Sequence, residues 1–584
     1  MSFIVSKNKS LSSISLLSLC LFTIQISFSQ KKDDNIGTEV VNVVKPYTPS
    51  ISDAFKVKET PTLDDDDTSK KENIQYNIFS FPVASTFAPA KGKAANVDKS
   101  AEEKMFSNYL TLGAGNFGTV NAELFITESI SNTDYFGGML RHSSSQGGIK
   151  DVVLDDKFFN TALDLTYGSR KKGMTWNADL GYQNQVYNWY GIYPGLLPDA
   201  TIASIDEQQT YHTLYVGGRL SLNNILKEST VKFSRFWDAF GSAENRFVAK
   251  PSLEFDIVEQ KIKADFVLDY ISGSFDQNFD NTASIKYGFT NIGFQPSIKI
   301  QKDDLTVNAG VGFFYSAAQE AGESKFFIYP QVTGSYKIVG DLMIFYAGLE
   351  GTLQQNSYHD FVQDNFFVSP TLAVAPTDQK YDIYAGLKGK LASSISYNIR
   401  GSYKNEEGKA LFKSNIYDNF NANRDGYTFG NSFDVVYDKV KTVSFFGELK
   451  ADFSKNVAFG INGTFSSFST DIEKEAWNLP AIKLATTLDV NITPKWFAGT
   501  SLFFVGERKD IFRQATVTLP FPPDEDITLK SFFDLNANVG YKYSARLTFF
   551  LKGNNLANQD YQRWSNYPVQ GLQVLGGASY KFDF

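Results

Sequence analysis

Three histidines and a single cysteine bound the covalent chemistry open to this 584-residue chain. Arg141-His142-Ser143-Ser144-Ser145 sets a histidine among candidate nucleophiles. A serine hydrolase needs its hydroxyl within hydrogen-bond reach of an imidazole, and a third group to orient the ring. Neighbours along a strand face opposite ways, so His142 and Ser143 cannot pair; Ser144 shares the face of His142 but is expected in a loop. His359-Asp360 falls in a long polar connection and lacks further acidic and histidine partners, so a solvated loop is expected. Asp64 to Asp67 are four consecutive carboxylates without the alternating spacing or turn-forming glycine of a calcium loop. The expectation is a protein that is not an enzyme and holds no metal and no cofactor.

Aromatic residues are the other candidates for binding. Tyr187-Asn188-Trp189-Tyr190-Gly191-Ile192-Tyr193 is the densest cluster, and Phe366-Phe367 and Arg563-Trp564 repeat the theme. Trp189, Tyr190, Tyr193 and Trp564 could stack on a sugar or cover a partner protein; an interfacial girdle plus packing within loops is the competing expectation.

The elements that position these residues read as strands. The chain has 52 Phe and 30 Tyr, yet its mean hydropathy is only −0.24. Segments with one apolar and one wet face produce that combination. Val443, Phe445, Gly447, Leu449, Ala451 and Phe453 alternate with Ser444, Phe446, Glu448, Lys450 and Asp452. Ile262, Ala264, Phe266, Leu268 and Tyr270 alternate with Lys263, Asp265, Val267 and Asp269. Each run is about ten residues, the length of a tilted strand crossing a bilayer. Leu572 to Phe584 ends the chain in the same way, with Tyr580, Phe582 and Phe584 on the apolar face as the expected signal to the barrel-assembly machinery.

The fold expected is all-β, a transmembrane antiparallel barrel of about 22 strands (20 to 24) with even parity. Short connections such as Ser169 to Gly173 and Lys302 to Asp304 would be periplasmic. Long ones, such as Tyr187 to Thr210 and Gln354 to Gln379, would lie outside the cell. Asn405-Glu406-Glu407-Gly408 and Asp438-Lys439-Val440-Lys441 both look like tight turns and blur the count there.

The organisation expected is a signal peptide over 1–29, a largely flexible periplasmic extension over 30–106, and the barrel over 107–584. Lys7 and Lys9 precede the apolar stretch Leu16 to Ile26, and Ser27-Phe28-Ser29 supplies a cleavage site. Cys20 lies inside that stretch, so cleavage removes thiol chemistry from the mature chain. The net charge of −8 and the lack of a long basic cluster give no reason to expect nucleic acid as a partner.

Asn554-Asn555-Leu556-Ala557-Asn558-Gln559-Asp560-Tyr561, followed by Trp564, Tyr567-Pro568 and Gly571, resembles the end of the barrel of TonB-dependent receptors in the Bacteroidota style. So do Glu475-Ala476-Trp477-Asn478-Leu479-Pro480 and Trp496-Phe497-Ala498-Gly499. The resemblance covers the last 120 residues or so and implies a 22-stranded barrel with a filled lumen. It also implies a plug domain and a strand pulled by TonB. Gln30 to Met105 contains two glycines, Gly37 and Gly92, too few for the tight turns of a plug. Glu39, Val40, Val41, Val43 and Val44 resemble a TonB-contact strand.

These readings place the chain in the outer membrane of a Gram-negative cell, in contact with lipid. It would mediate or support passage of a solute. The alternative is a non-transporting barrel, a structural subunit of a complex with other outer-membrane proteins.

Overall fold

The computed structural model describes residues 106–584, apart from 224, 258–259, 321, 418–423 and 516–522. Glu39 to Val44, the acidic run at 64–67 and the segment around Cys20 lie outside the described residues.

Among the described residues, twenty-two antiparallel strands form one closed sheet. They are β1 (Asn108–Gly115), β2 (Val120–Ser129), β3 (Asp134–Ser145), β4 (Phe158–Lys171), β5 (Met174–Asn188), β6 (Gln208–Leu222) and β7 (Ser229–Asp238). β8 runs as Ala243–Lys250 and resumes as Ser252–Ile257. Both pieces pair with β9 (Gln260–Phe275) around Pro251, which has no N–H to give the ladder. Then follow β10 (Ile285–Lys302), β11 (Leu305–Ala318), β12 (Lys325–Val339), β13 (Met343–Gln354), β14 (Thr377–Ala392), β15 (Ile395–Ser414), β16 (Phe433–Ser454) and β17 (Val457–Ser469). The last are β18 (Ile482–Asn491), β19 (Trp496–Val505), β20 (Phe532–Lys542), β21 (Leu547–Asn554) and β22 (Gln573–Phe582).

β22 closes on β1 from Phe582↔Asn108 to Leu575↔Gly115, which leaves no edge strand unpaired. Gly113 faces Gly577 across this seam, and Thr111 Oγ1 donates to Ser579 Oγ at 2.9 Å. The expected outward face is outward. Val443 and Phe445 are 58% and 53% exposed, and Leu163, Tyr182, Leu214, Phe294, Ile383 and Tyr580 also lie bare on the outer wall, where a bilayer offsets what water would penalise.

Connections alternate as the sequence suggested. Turns at 172–173, 303–304, 393–394 and 455–456 lie at the rim that holds the β1 start and the β22 end, and the long loops lie at the other. Gly173 adopts φ 90, the left-handed geometry a two-residue hairpin requires.

Asn405–Gly408 and Asp438–Lys441 are not turns. They face each other within β15 and β16, where the register slips between Glu406 and Lys409. Gly408 has φ 65. A β-bulge takes the same residue types as a turn, but here it bends two strands of 20 and 22 residues that continue past it.

Inside, tyrosines lie over glycines. Tyr215 on β6 covers Gly181 on β5, and its hydroxyl reaches Asp164 on β4 at 2.6 Å. Tyr287 on β10 covers Gly273 on β9 and reaches Glu244 on β8 at 2.7 Å. Tyr346 on β13 covers Gly386 on β14 and reaches Asn398 on β15 at 2.6 Å. Each ring spans two strand gaps, and the missing Cβ beneath it makes the room.

Candidate functional site

The connection 355–376 crosses the loop-side mouth of the barrel. It opens with a short helix, α1 (Tyr358–Asp364), whose Ser357 cap accepts the Asp360 N–H at 3.0 Å. Tyr358, Phe361 and Val362 share one face of α1 and are buried. They join a core made with Tyr211, Phe236, Ile271, Phe275 and Tyr287 of the wall. The second half of the loop buries Val368, Leu372 and Val374 in the same core, against Phe433 and Val435 of β16. Ser369 N–H donates to Phe433 O at 2.9 Å and Phe433 N–H to Phe367 O at 3.0 Å. One loop touches β6 to β10 and β16, well apart around the circumference, so it spans the mouth rather than lining it.

Two further loops interlock with it. Tyr567 stacks on Phe367 with ring centroids 3.6 Å apart, and Tyr190 packs edge-on against Tyr567 at 4.8 Å. Trp564 meets Phe412 and Phe433. Tyr190 Oη donates to Pro568 O at 2.9 Å, and Tyr211 Oη to Phe366 O at 3.0 Å. Each fully buried ring of this kind contributes about 1.5–3 kcal/mol of transfer free energy.

Polar anchors fix α1 to the wall. Glu244, 2% exposed, accepts the Tyr358 N–H at 2.7 Å and the Tyr287 hydroxyl at 2.7 Å on one oxygen. Asp238 accepts the Tyr358 hydroxyl at 2.8 Å. Arg246 bridges Asp269 at 2.7 Å and Asp360 at 2.9 Å. Burial would push the Asp360 carboxyl up, but the His359 ring, the Arg246 guanidinium and the Ser357 hydroxyl outweigh it and hold Asp360 at about 2. His359-Asp360 is thus part of a docked helix, not a solvated loop; the edge of the Phe236 ring packs at His359. Asp238, Glu244 and Arg246 escaped the sequence reading because an inward charged residue on a strand looks like any other wet wall residue.

No protein-family model matches the chain, and no curated protein matches it. Solved structures do. The FrpB iron transporter from Neisseria meningitidis aligns with a TM-score of 0.62 at 11% identity, over 82% of this chain and 82% of that one. The ferripyoverdine receptor of the Pseudomonas aeruginosa outer membrane gives 0.59 at 13%, over 82% and 72%. The siderophore receptor PirA from Acinetobacter baumannii gives 0.59 at 10%, over 81% and 80%. This chain has the barrel fold of the TonB-dependent outer-membrane receptors. Its closure and bare apolar outer wall are those of a membrane-spanning barrel.

On that barrel the residues singled out from sequence separate. Trp189 is fully buried between Phe240 and Tyr427. Tyr193 packs on Phe512, while Tyr190 and Trp564 belong to the mouth core. Tyr580, Phe582 and Phe584 follow one another at the turn-side rim, each ring against the next.

His142 Nε2 lies 3.1 Å from Ser144 Oγ, and its Nδ1 lies 2.8 Å from Thr161 Oγ1. Ser144 is in β3, not a loop, because the ladder with β2 and β4 continues to its end. It is 3% exposed and sits between Val120 and Phe159 in register. Both flanking ladders consume the nearby backbone N–H groups, which leaves none for an oxyanion. Among the described residues no cluster of three or more His, Cys, Asp or Glu has the arrangement of a metal site.

Proposed function

We propose that this chain mediates or supports passage of a solute across the outer membrane, as a barrel of the TonB-dependent receptor type, with the loop 355–376 as its gate. The observation that carries the reading is the way that loop is held. It crosses the mouth with an apolar face packed on the wall, and its helix is fixed there by a few polar contacts at Glu244, Asp238 and Arg246, which a ligand or a pull can exchange one by one. The likeness to an iron transporter and a siderophore receptor supports transport as the class of function. No covalent step is required; the work is binding and displacement.

Glu39, Val40, Val41, Val43 and Val44 would give TonB its contact, and Tyr580, Phe582 and Phe584 would address the barrel-assembly machinery. In planar bilayers the intact protein should be silent, and a variant with 358–364 replaced by a short Gly/Ser linker should conduct in steps. Silence in both variants would sink the gate. Deletion of 31–67 should abolish energised uptake and TonB binding; survival of both would remove the contact strand.

A second reading has its own support. The mouth is closed by a core like that of a folded domain, made by the barrel's own loops, and such a seal suits a structural subunit of an outer-membrane complex. Stoichiometric copurification with other outer-membrane proteins, with no uptake defect on deletion of the gene, would favour it over transport.

A further inference from the structure

A second feature of the mouth is electrostatic. Between α1, β15, the start of β18 and the loops after β19 and β21 lies a cavity of about 510 Å³. Lys483, Arg508 and Arg563 line it, together with Asp364, Phe532 and Trp564. Lys409 also reaches it but is answered by Glu406 at 2.8 Å. The other three cations form no ion pair with any carboxylate among the described residues; of the two acids on the cavity wall, Glu406 is taken by Lys409 and Asp364 remains.

Arg508 is the most telling. It is 6% exposed and donates only to main-chain carbonyls, to Arg563 O and to Gln562 O at 2.7 Å. Its Nε is buried without a partner. Burial, with the Arg563 guanidinium close by, draws Arg508 down to about 10, so it remains charged at neutral pH. A buried cation that makes no ion pair is costly to keep. Asp510 offsets part of that cost from a distance, but the Arg563 guanidinium adds to it, and Lys483 lines the same cavity. Aromatic walls complete the cavity, and Arg508 lies over the Phe532 ring at 5.5 Å.

We propose that this cavity binds an oxyanion group, carboxylate or phosphate, carried on an apolar or aromatic body. Lys483, Arg508 and Arg563 hold the anion, and Trp564 and Phe532 hold the body. Guanidinium groups suit both oxyanions through paired N–H donors. Asp364 of α1 feels the charge of Arg563 and Lys483 without pairing with either, so an anion held by those two cations would weaken that attraction and couple occupancy to the helix that closes the mouth. In that respect the site deepens the transport reading and rests on it.

The test is titration calorimetry on the full-length mature protein in detergent, with benzoate and phenyl phosphate as probes and benzyl alcohol as the neutral control. Each anion is expected to bind at least about tenfold more tightly than benzyl alcohol. The advantage should shrink at about 0.5 M salt, where surface charges are screened. The tighter of the two probes identifies the carboxylate or the phosphate source. Arg563 and Lys483 are exposed, so Arg563→Ala and Lys483→Ala should fold; each should weaken anion binding by about fivefold or more without changing benzyl alcohol. Equal affinity for the neutral control, or unchanged binding in the double variant, overturns the site. A barrel that imports solute but shows no anion preference refutes the site and leaves transport standing. Anion preference in a barrel that imports nothing supports the site and removes transport.

Discussion

The Tyr358 N–H and the Glu244 carboxylate meet at 2.7 Å inside the barrel mouth, on the oxygen that also takes the Tyr287 hydroxyl. One buried acid thus ties the first turn of α1 to the wall. Glu244→Ala leaves both donors in an apolar setting and should cost loop docking about 2–4 kcal/mol. Glu244→Gln keeps an acceptor and should cost less. Hydrogen exchange over 355–376 measures this: protection should fall most in the alanine variant, and equal protection in all three proteins would show that Glu244 is not the anchor.

Asp360 gives the mouth its acid limit. Its carboxyl is held at about 2 in the docked helix, against about 3.9 for a free aspartate. A group whose value is lowered by docking contributes above the free value, and that contribution is lost as pH falls through the docked one. Protection of 355–376 should therefore be flat from neutral pH to about 5 on this account and should drop between about 4 and 2. About half of the Asp360 side chain is exposed, so solvent trims the effect. Asp360→Asn should remove the low-pH drop attributable to this pair; an unchanged profile would assign it to other carboxylates.

The barrel was legible because its rule is local. Val443 to Phe453 need only alternate, and the ladder does the rest. The two stretches misread as turns, at Asn405 and Asp438, fail for the same reason: the polar residues of a bulge and of a turn look alike, Gly408 obeys the same steric rule in either, and only the partner strand tells them apart. The mouth was not legible. Glu244, Tyr358 and Phe433 lie 114 and 75 residues apart along the chain, and no spacing links them. Trp189 and Trp564 drew notice as aromatic residues in loops, but whether such a ring meets a ligand or a neighbouring loop is decided by the folding of three loops at once.

Gly273 links the wall to the loop 355–376 through Tyr287 and Glu244. A methyl group there would land on the Tyr287 ring and lift its hydroxyl from Glu244. Gly273→Ala is expected to cost about 1–3 kcal/mol of overpacking and to loosen 355–376 as well. Tyr287→Phe keeps the ring and should cost about 1 kcal/mol. In a double-mutant cycle with Glu244→Ala the effects should be clearly non-additive; simple additivity would mean that the ring only packs.

His142, Ser144 and Thr161 look like a hydrolytic set by distance alone. The buried hydroxyl and the lack of oxyanion donors argue that the set is a strand-face hydrogen-bond chain. Purified protein should not release fatty acid or nitrophenol from ester substrates, and His142→Ala should match wild type in uptake and folding. A hydrolytic rate that disappears in both His142→Ala and Ser144→Ala would reverse this conclusion.

The closing seam separates architecture from recognition. A Cβ at Gly577 would land on the Leu112 carbonyl and 2.8 Å from Gly113 Cα, so a side chain there blocks β22 from zipping onto β1. Gly577→Val should leave an open sheet whose edges expose unpaired N–H groups, a state hydrocarbon does not tolerate. Phe584 is different. It is 82% exposed, and the ladder already ends at Phe582, so its removal deletes no pairing. If the terminal aromatics address the assembly machinery, loss of Phe584 should slow the appearance of the heat-modifiable folded band on electrophoresis yet yield a barrel of normal stability once formed. Gly577→Val should never yield that band. A Phe584 deletion that assembles at the wild-type rate would assign Phe584 no part in recognition and leave the seam argument untouched.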